Sequence, residues 1–555
     1  MKRRLVTASI GTAGLFGLLL VPLQGCTNLD ETPPSQIAAG NFYSNEAEVL
    51  AGLAGVYAVL RSTSPEGALY DANEVSTDEI VVPTRGSDWY DNGQWIDLHN
   101  HTWTPTSAAS GFFNGAWNTA FGGVASANLF LSRVQNSTFP NKASIVAEGR
   151  GLRAFYYYLL LDMFGGVPIV TTTDIAQRPR STRRALFNFI ESELIAARDS
   201  GLPATWDAGD NGRFTKGAAD AILANMYLNA GVFTKDAAGA GGINASAYNS
   251  CSGVTVSGNL DACLAADSAA TRLINSPNYR LADSFPQNFR ADNNLSPENI
   301  FAVKFIHADG LGLDLTMAAL HYCQYHPLTP WNGFATLAQT FNSFDSAGVG
   351  GATKTDKRRH AILFGPQFDV LSGAPATVRV SGSCPATWTP QTALVFTDSI
   401  RNIRSATEGE GPRIYKWPAD PSHVQQNSGN DYAWFRLGEM YLIKAEVENE
   451  LGNTATALTL LNTLRARGGR ATSDTVAAPL VVVNRSVILN ERLFELFGEN
   501  KRRQDLVRFG QYTGRTDAAS GLAGGKVASP DYYVLFPIPQ TQIDANAQLK
   551  QNPGY

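Results

Sequence analysis

Two adjacent carboxylates, Asp78 and Glu79, are the first residues of this chain whose types could do chemistry. A glycosidase needs two carboxyl groups facing one bond, about 5 Å apart for retention or about 6.5–9.5 Å for inversion. Sequence neighbours rarely point into one cleft, so the bland expectation is a solvated or capping pair of acids. His99-Asn100-His101 offers two imidazoles, but no third histidine or acid follows at ligand spacing, and His321 with His326 is no better placed. There is no Gly-x-Ser-x-Gly elbow, no Gly-x-x-x-x-Gly-Lys loop and no dinucleotide fingerprint. The expectation is a protein with no catalytic residue, no metal and no cofactor, acting by binding.

Aromatic residues supply the chemistry of binding. Trp89, Trp95 and Trp103 fall in a stretch rich in Asp, Asn and Gly, which reads as a loop, and Tyr322, Tyr325, Trp331 and Phe334 gather in a second irregular region. Sugar rings have apolar C–H faces edged by hydroxyls, so they need flat rings to stack on and short polar groups at the rim. Trp89, Trp95, Tyr325 and Trp331 are the expected stacking residues, with Asp71, Asn73 and Arg85 as hydroxyl partners. The structural alternative is that individual tryptophans fill gaps between helices. Trp117 and Trp434 are assigned to the core on that ground.

Helices must hold these loops. In residues 436–508, three apolar stripes recur at 3.6-residue spacing: Leu437, Met440, Tyr441 and Ala445; Ala457, Leu460, Leu461 and Leu464; Leu489, Leu493, Leu496 and Phe497. Gly452-Asn453-Thr454 separates the first two as a C-cap glycine and an N-cap threonine, which forces an antiparallel hairpin. Further helices are expected over 45–61, 116–134, 143–164, 184–200 and 216–229. The longest stripe is Leu152, Phe155, Tyr156, Leu159, Leu160 and Met163, stopped by Gly165-Gly166-Val167-Pro168. Hairpins that cannot bury both faces alone must stack, so the fold class is mainly α, a tetratricopeptide-like α-solenoid body, although the literal repeat pattern is absent. Residues 45–230 form its first part and 433–555 its last. Residues 231–432 form a long loop-rich ligand-face region with minor β at 300–305 and 393–396.

Lys2-Arg3-Arg4, an apolar run over 5–21 and Leu23-Gln24-Gly25-Cys26 make residues 1–25 a signal peptide, with a cut that resembles a bacterial lipobox. Cys26 would be acylated, and residues 26–44 would tether the body to a membrane it does not cross. A net charge of −5 argues against nucleic acid as a partner. The other cysteines pair by proximity as Cys251 with Cys263 and Cys323 with Cys384; four cysteines allow about three connectivities, and reduced thiols stay open.

Arg436-Leu437-Gly438-Glu439-Met440-Tyr441-Leu442-Ile443-Lys444-Ala445-Glu446, Leu461-Asn462-Thr463-Leu464-Arg465-Ala466-Arg467-Gly468-Gly469, Glu491-Arg492 with Glu495-Leu496, and Arg502-Arg503-Gln504-Asp505-Leu506-Val507-Arg508 follow one another in this order. With Phe536-Pro537-Ile538-Pro539 and the terminal Gln551-Asn552-Pro553-Gly554-Tyr555, the ordered set resembles the SusD/RagB family of outer-membrane lipoproteins. The block from Arg150 to Val170 and Gly212-Arg213-Phe214-Thr215 are similar to its N-terminal half. The resemblance implies a lipid-anchored protein on the cell exterior that captures a nutrient, commonly a glycan, and caps a SusC-like TonB-dependent transporter. It places ligand contacts in the two variable loop regions without assigning individual residues. Binding of peptide or another nutrient, or surface polysaccharide hydrolysis, are the alternatives.

Overall fold

The computed structural model describes residues 43, 45–65, 67–239, 241–308, 310–347, 353–469 and 475–555. The expected signal peptide, Cys26 and all of the tether except Tyr43 lie outside the described residues.

The body opens with α1 (Glu46–Ala58), capped by the Asn45 side chain, which accepts from the Glu48 N–H at 3.0 Å. Val49, Leu53 and Val56 are buried as their spacing predicts, and Leu60 continues the stripe in a following 3-10 turn. Next come α2 (Ala68–Val75), α3 (Gln94–Asn100), α4 (Ser110–Val134), α5 (Lys142–Phe164), α6 (Arg183–Ser200), α7 (Lys216–Leu228), the single turn α8 (Ala230–Phe233) and α9 (Ala262–Ile274). α5 is the pillar of this half: from Gly151 to Phe164 every residue is buried, not only the predicted stripe. Close approach makes this possible. A Cβ at Gly123 of α4 would lie 2.5 Å from the Tyr156 ring, and one at Gly151 would lie 2.5 Å from Phe214.

The irregular stretch contains the short helices α10 (Leu315–Ala319) and α11 (Ala338–Ser343). The C-terminal part holds α12 (Leu437–Glu450), α13 (Thr454–Arg465), α14 (Arg485–Leu496), α15 (Arg502–Arg508) and α16 (Gln540–Ala545). Packing follows a chain of neighbours: α4 on α5, α5 on α6, α6 on α7, α7 on α9, α9 on α12, and α12 on both α13 and α14. This is the expected stack of helical hairpins. Two boundaries differ from expectation. α4 begins earlier than residue 116, drawing Phe112 and Phe113 into the core. Asn453, not Thr454, is the N-cap of α13, after Gly452 has turned the chain at φ +86°.

The main surprise is α9, inside the region expected to be loop. Its buried face is Ala262, Ala265, Ala266, Ala269, Ala270 and Leu273, a stripe too small in side-chain size to stand out by hydrophobicity. It bridges α7 and α12, so the two ends of the solenoid meet across it. An antiparallel ladder between Asn299–Val303 and Tyr432–Arg436 joins the two ends of the remaining irregular stretch, with Tyr432 opposite Val303 and Ala433 opposite Ala302. The described residues form five two-stranded ladders and no larger sheet. Disulfides connect Cys251 to Cys263 and Cys323 to Cys384, closing the choice the sequence leaves open.

Under the ladder lies a buried ion-pair core. Glu495, fully buried, accepts from Arg436 at 2.7 Å, from Arg358 at 3.0 Å and from Arg467 at 2.6 Å; Glu298 pairs with Arg436 and Arg467, and Glu499 with Arg436 and Lys416. Such charges tolerate burial only when each is paired and hydrogen-bonded. The signature run beyond α14 belongs to the same system: Arg502 holds Asp78 at 2.7 Å, Arg503 holds Asp162 at 3.2 Å, and Arg508 holds Glu446 at 2.6 Å.

Candidate functional site

The aromatic loop following α2 is shaped by its backbone. Gly86, Trp89, Asp91, Asn92 and Gly93 all have positive φ, Trp89 at +62°. A bulky side chain in that region costs about 1–3 kcal/mol, so other contacts must hold it. Three do so. The Trp89 indole N–H donates to the Trp331 carbonyl at 2.6 Å. The ring meets Trp95 edge-on at 5.4 Å and Phe334 at 5.9 Å. Gly333 leaves the slot, since a Cβ there would lie 2.3 Å from the indole.

Trp331 sits on the second irregular region, in the loop between α10 and α11. Its N–H donates to the Met317 carbonyl at 2.6 Å, and the N–H of Asn332 donates to Leu320, so this loop folds back over α10. Trp89 and Trp331 are both half-buried, and Tyr90 beside them is 56% exposed.

A polar cluster is tied to both loops: Asp88 precedes Trp89, and the Asn332 side chain, next to Trp331, donates to the Glu408 carbonyl at 3.2 Å. The Tyr322 hydroxyl donates to Asp88, and the Arg379 guanidinium lies 3.5 Å over the Tyr322 ring while also reaching Asp88 at 3.4 Å. Arg379 donates to Glu408 at 2.7 Å, and Glu408 meets His321 at 3.0 Å. Burial raises the Glu408 carboxyl, but hydrogen bonds from His321 and Arg379 outweigh it and bring it down to about 2. Glu408 is therefore a fixed anion and no proton donor near neutral pH. Asp88, Arg379 and Glu408 stay partly open to solvent. The Cys323–Cys384 disulfide pins the arm carrying Arg379 beside Tyr322.

The expected site residues separate into two groups. Trp89 and Trp331 come together at the surface. Trp95 does not: it lies on α3 rather than in a loop, is 7% exposed, packs 4.8 Å from Phe112 and donates its indole N–H to Asp91 at 2.7 Å. Tyr325 is buried against Met317 and Leu320, with His423 edge-on at 5.0 Å. Arg85 is buried and donates to the carbonyls of Thr407 and Glu410, latching that loop; burial lowers its guanidinium to about 10. Asp71 and Asn73 are interior residues of α2, each with a buried side-chain oxygen that has no partner. Burial, then the nearby Asp314, pushes the Asp71 carboxyl up to about 8. These five cannot present a face or a hydrogen-bonding group to a ligand in this conformation, because folding places them beneath the loops they were expected to decorate. Arg379 and Glu408 went unnoticed in the sequence because an isolated charge in an irregular stretch carries no periodic or motif signal. Asp88 and Tyr322 stood beside residues singled out for stacking.

The other chemical candidates are structural. Asp78 pairs with Arg502, and Glu79 is buried and accepts from the Gly498 N–H at 2.7 Å, so neither is solvated. His99 holds Asp517 at 2.8 Å, and His101 meets the Ser76 carbonyl at 2.7 Å.

Comparison with known proteins agrees with this architecture. A family profile described as "SusD family" matches residues 297–555, and one described as "Starch-binding associating with outer membrane" matches residues 29–228. The chain is 26% identical over 605 residues to the starch-binding protein SusD of Bacteroides thetaiotaomicron, covering 98% of each. It is 23% identical over 552 residues to SusD-like protein P25 of Formosa agariphila, covering 95% of this chain and 96% of that one. Among solved structures, a SusD-like protein from Bacteroides fragilis superposes with TM-score 0.68 at 18% identity, covering 95% of this chain and all of that one. A laminarin-binding SusD-like protein gives 0.66 at 22%, covering 92% and 100%. Surface glycan-binding protein A of Bacteroides thetaiotaomicron in complex with laminarihexaose gives 0.65 at 19%, covering 92% and 99%. At these identities the structural matches speak for the fold alone. The two profiles lie on either side of α9, one matching the N-terminal helices and the other the C-terminal helices with most of the irregular stretch, and the chain belongs to the SusD family.

Proposed function

We propose that this protein captures a glycan at the outer face of the outer membrane, held there by an acylated Cys26, and passes it to a SusC-like TonB-dependent transporter. The ligand lies across the half-buried rings of Trp89 and Trp331, with Tyr90 alongside and Asp88, Arg379 and Glu408 as hydroxyl partners. The observation that carries the reading is this pair of tryptophans, joined by a hydrogen bond at 2.6 Å, with the partly exposed Asp88 next to Trp89 in the chain and Glu408 tied by its carbonyl to Asn332 beside Trp331. Stacking on a fixed indole suits the apolar face of a sugar, and ionised or cationic neighbours suit its hydroxyls. Trp95, Phe112, Phe334 and Arg85 form the support behind the rings and not the contact.

A relative named for starch binding, 26% identical over nearly the whole of both chains, supports a glycan over a peptide as the ligand class. The mechanism is binding and release without covalent chemistry. The test is a glycan array followed by calorimetry on the full mature chain, with product analysis of the incubated glycan. Trp331-dependent binding with the glycan recovered intact supports the reading. Peptide binding with no glycan bound, or shortened glycan, refutes it. Capture of the tagged protein from outer membranes together with a TonB-dependent barrel tests the partner.

A further inference from the structure

A second concavity shares no residue with the Trp89–Trp331 face. Two adjoining cavities, of about 440 and 590 Å³, meet at Asn211, Gly212, Arg213 and Lys304, where the loop before α7 touches the strand Asn299–Val303. The first is lined in part by α1 side chains such as Leu50, Leu53 and Tyr57. The second is polar, and its volume falls within the roughly 300–1,000 Å³ of small-molecule sites.

Its largest flat ring is Trp206. The indole N–H donates to the Phe214 carbonyl at 3.1 Å, and the Arg213 guanidinium lies 3.8 Å from the ring centroid. Arg213 is itself held by Glu148, a fully buried carboxylate that also accepts from the Tyr57 hydroxyl at 2.6 Å. The platform is thus built from the core outward and does not depend on a mobile surface ring. Facing the same space are Tyr279 and the exposed carboxamides of Asn211, Asn278 and Asn294, with the Thr205 hydroxyl.

Charge decides the ligand class. Arg61, which lines only the first cavity, has no carboxylate partner among the described residues, but both cations that line the second are already neutralised: Arg213 by Glu148 and Asp210, and Lys304 by Asp431. A phosphate or carboxylate would find no free counter-charge there. What remains is a flat ring backed by a cation and several amides, each of which donates and accepts, as vicinal hydroxyls do. We propose that the cavity at Trp206 is a second saccharide site, taking a neutral sugar unit against the indole, independent of the Trp89–Trp331 face. This rests on the glycan-binding reading.

The experiment is calorimetry of the full mature chain with maltoheptaose and with laminarihexaose, comparing wild type, Trp206→Ala, Trp331→Ala and the double variant, with Asn278→Ala as an exposed substitution that leaves the core untouched. For whichever glucan binds, wild type titrates as two sites. Each single tryptophan variant retains one, the double variant retains none, and Asn278→Ala weakens the Trp206 site by about tenfold. A wild type with one site, lost in Trp331→Ala and unchanged in both Trp206→Ala and Asn278→Ala, overturns the second site and leaves the first standing. If neither glucan binds any form, both fall.

Discussion

The indole N–H of Trp89 donates to the backbone carbonyl of Trp331 across 2.6 Å, joining loops 242 positions apart. Each tryptophan fixes the other. Trp89 is held at positive φ because its ring is trapped over Gly333, and the Trp331 loop is held because its carbonyl is occupied. The tie makes a surface of rings whose geometry exists before ligand arrives, which lowers the ordering cost of binding.

Gly333→Ala tests the slot. The added methyl would stand 2.3 Å from the indole, so Trp89 must leave its place. Overpacking of this kind costs about 1–3 kcal/mol, and we expect that loss in urea denaturation together with weaker glycan binding. Unchanged binding would show that the Trp89 position does not matter to the ligand.

Glu495→Gln tests the ion-pair core. The carboxylate is fully buried and shared by Arg358, Arg436 and Arg467, and removing its charge takes one partner from each, leaving Arg358 with Asp356 and Glu491, Arg436 with Glu298 and Glu499, and Arg467 with Glu298. Breaking a buried pair from one side costs about 3–5 kcal/mol, read as a fall in the denaturation midpoint at constant slope.

Stability should also depend on pH in two opposite ways. Burial raises the carboxyls of Glu495, Glu499 and Asp505, but neighbouring arginines, with Lys416 at Glu499, outweigh it and hold all three below their ordinary values. Their contribution is present above the unfolded carboxylate value of about 4 and is lost as pH falls through their folded values. Asp71 has the reverse sign. With its carboxyl pushed up to about 8, the unfolded chain sheds this proton first, and stability declines as pH rises from about 4 toward 8. Asp71→Asn should match wild type at pH 4 and exceed it at pH 8, measured by denaturation midpoints. Equal midpoints at pH 8 would contradict the assignment.

Cys384→Ser opens a loop of sequence separation 61 and frees the arm that carries Arg379. The expected loss is about 2–4 kcal/mol of stability, with weaker binding at the Trp89–Trp331 face. Cys251→Ser, on the other disulfide, should lower stability without touching that face.

Helical stripes were legible because α1, α5 and α14 bury the residues their spacing selects, and α12 and α13 bury theirs except Tyr441 and Leu460, which stay half-buried. α9 was not, since its stripe is mostly alanine, which favours helix but shows little hydrophobic contrast, and it lies in a region otherwise rich in glycine, serine and asparagine until α7 and α12 close over it. Of the site, the sequence revealed where rings gather but not which are buried. Trp95 lies among Asp, Asn and Gly like its neighbour Trp89, and only Phe112 and Phe334, supplied by distant segments, decide that it belongs inside. Asp78, half-buried, and Glu79, buried, are tied down for the same kind of reason: their partners Arg502 and Gly498 lie near the other end of the chain.

Calorimetry of the full mature chain with glucan oligosaccharides, wild type against Trp89→Ala and Trp331→Ala, bears on the whole account. Binding by wild type that weakens by tenfold or so in each variant, with the sugar recovered uncut, is the predicted result. Full-strength binding by both variants would contradict it.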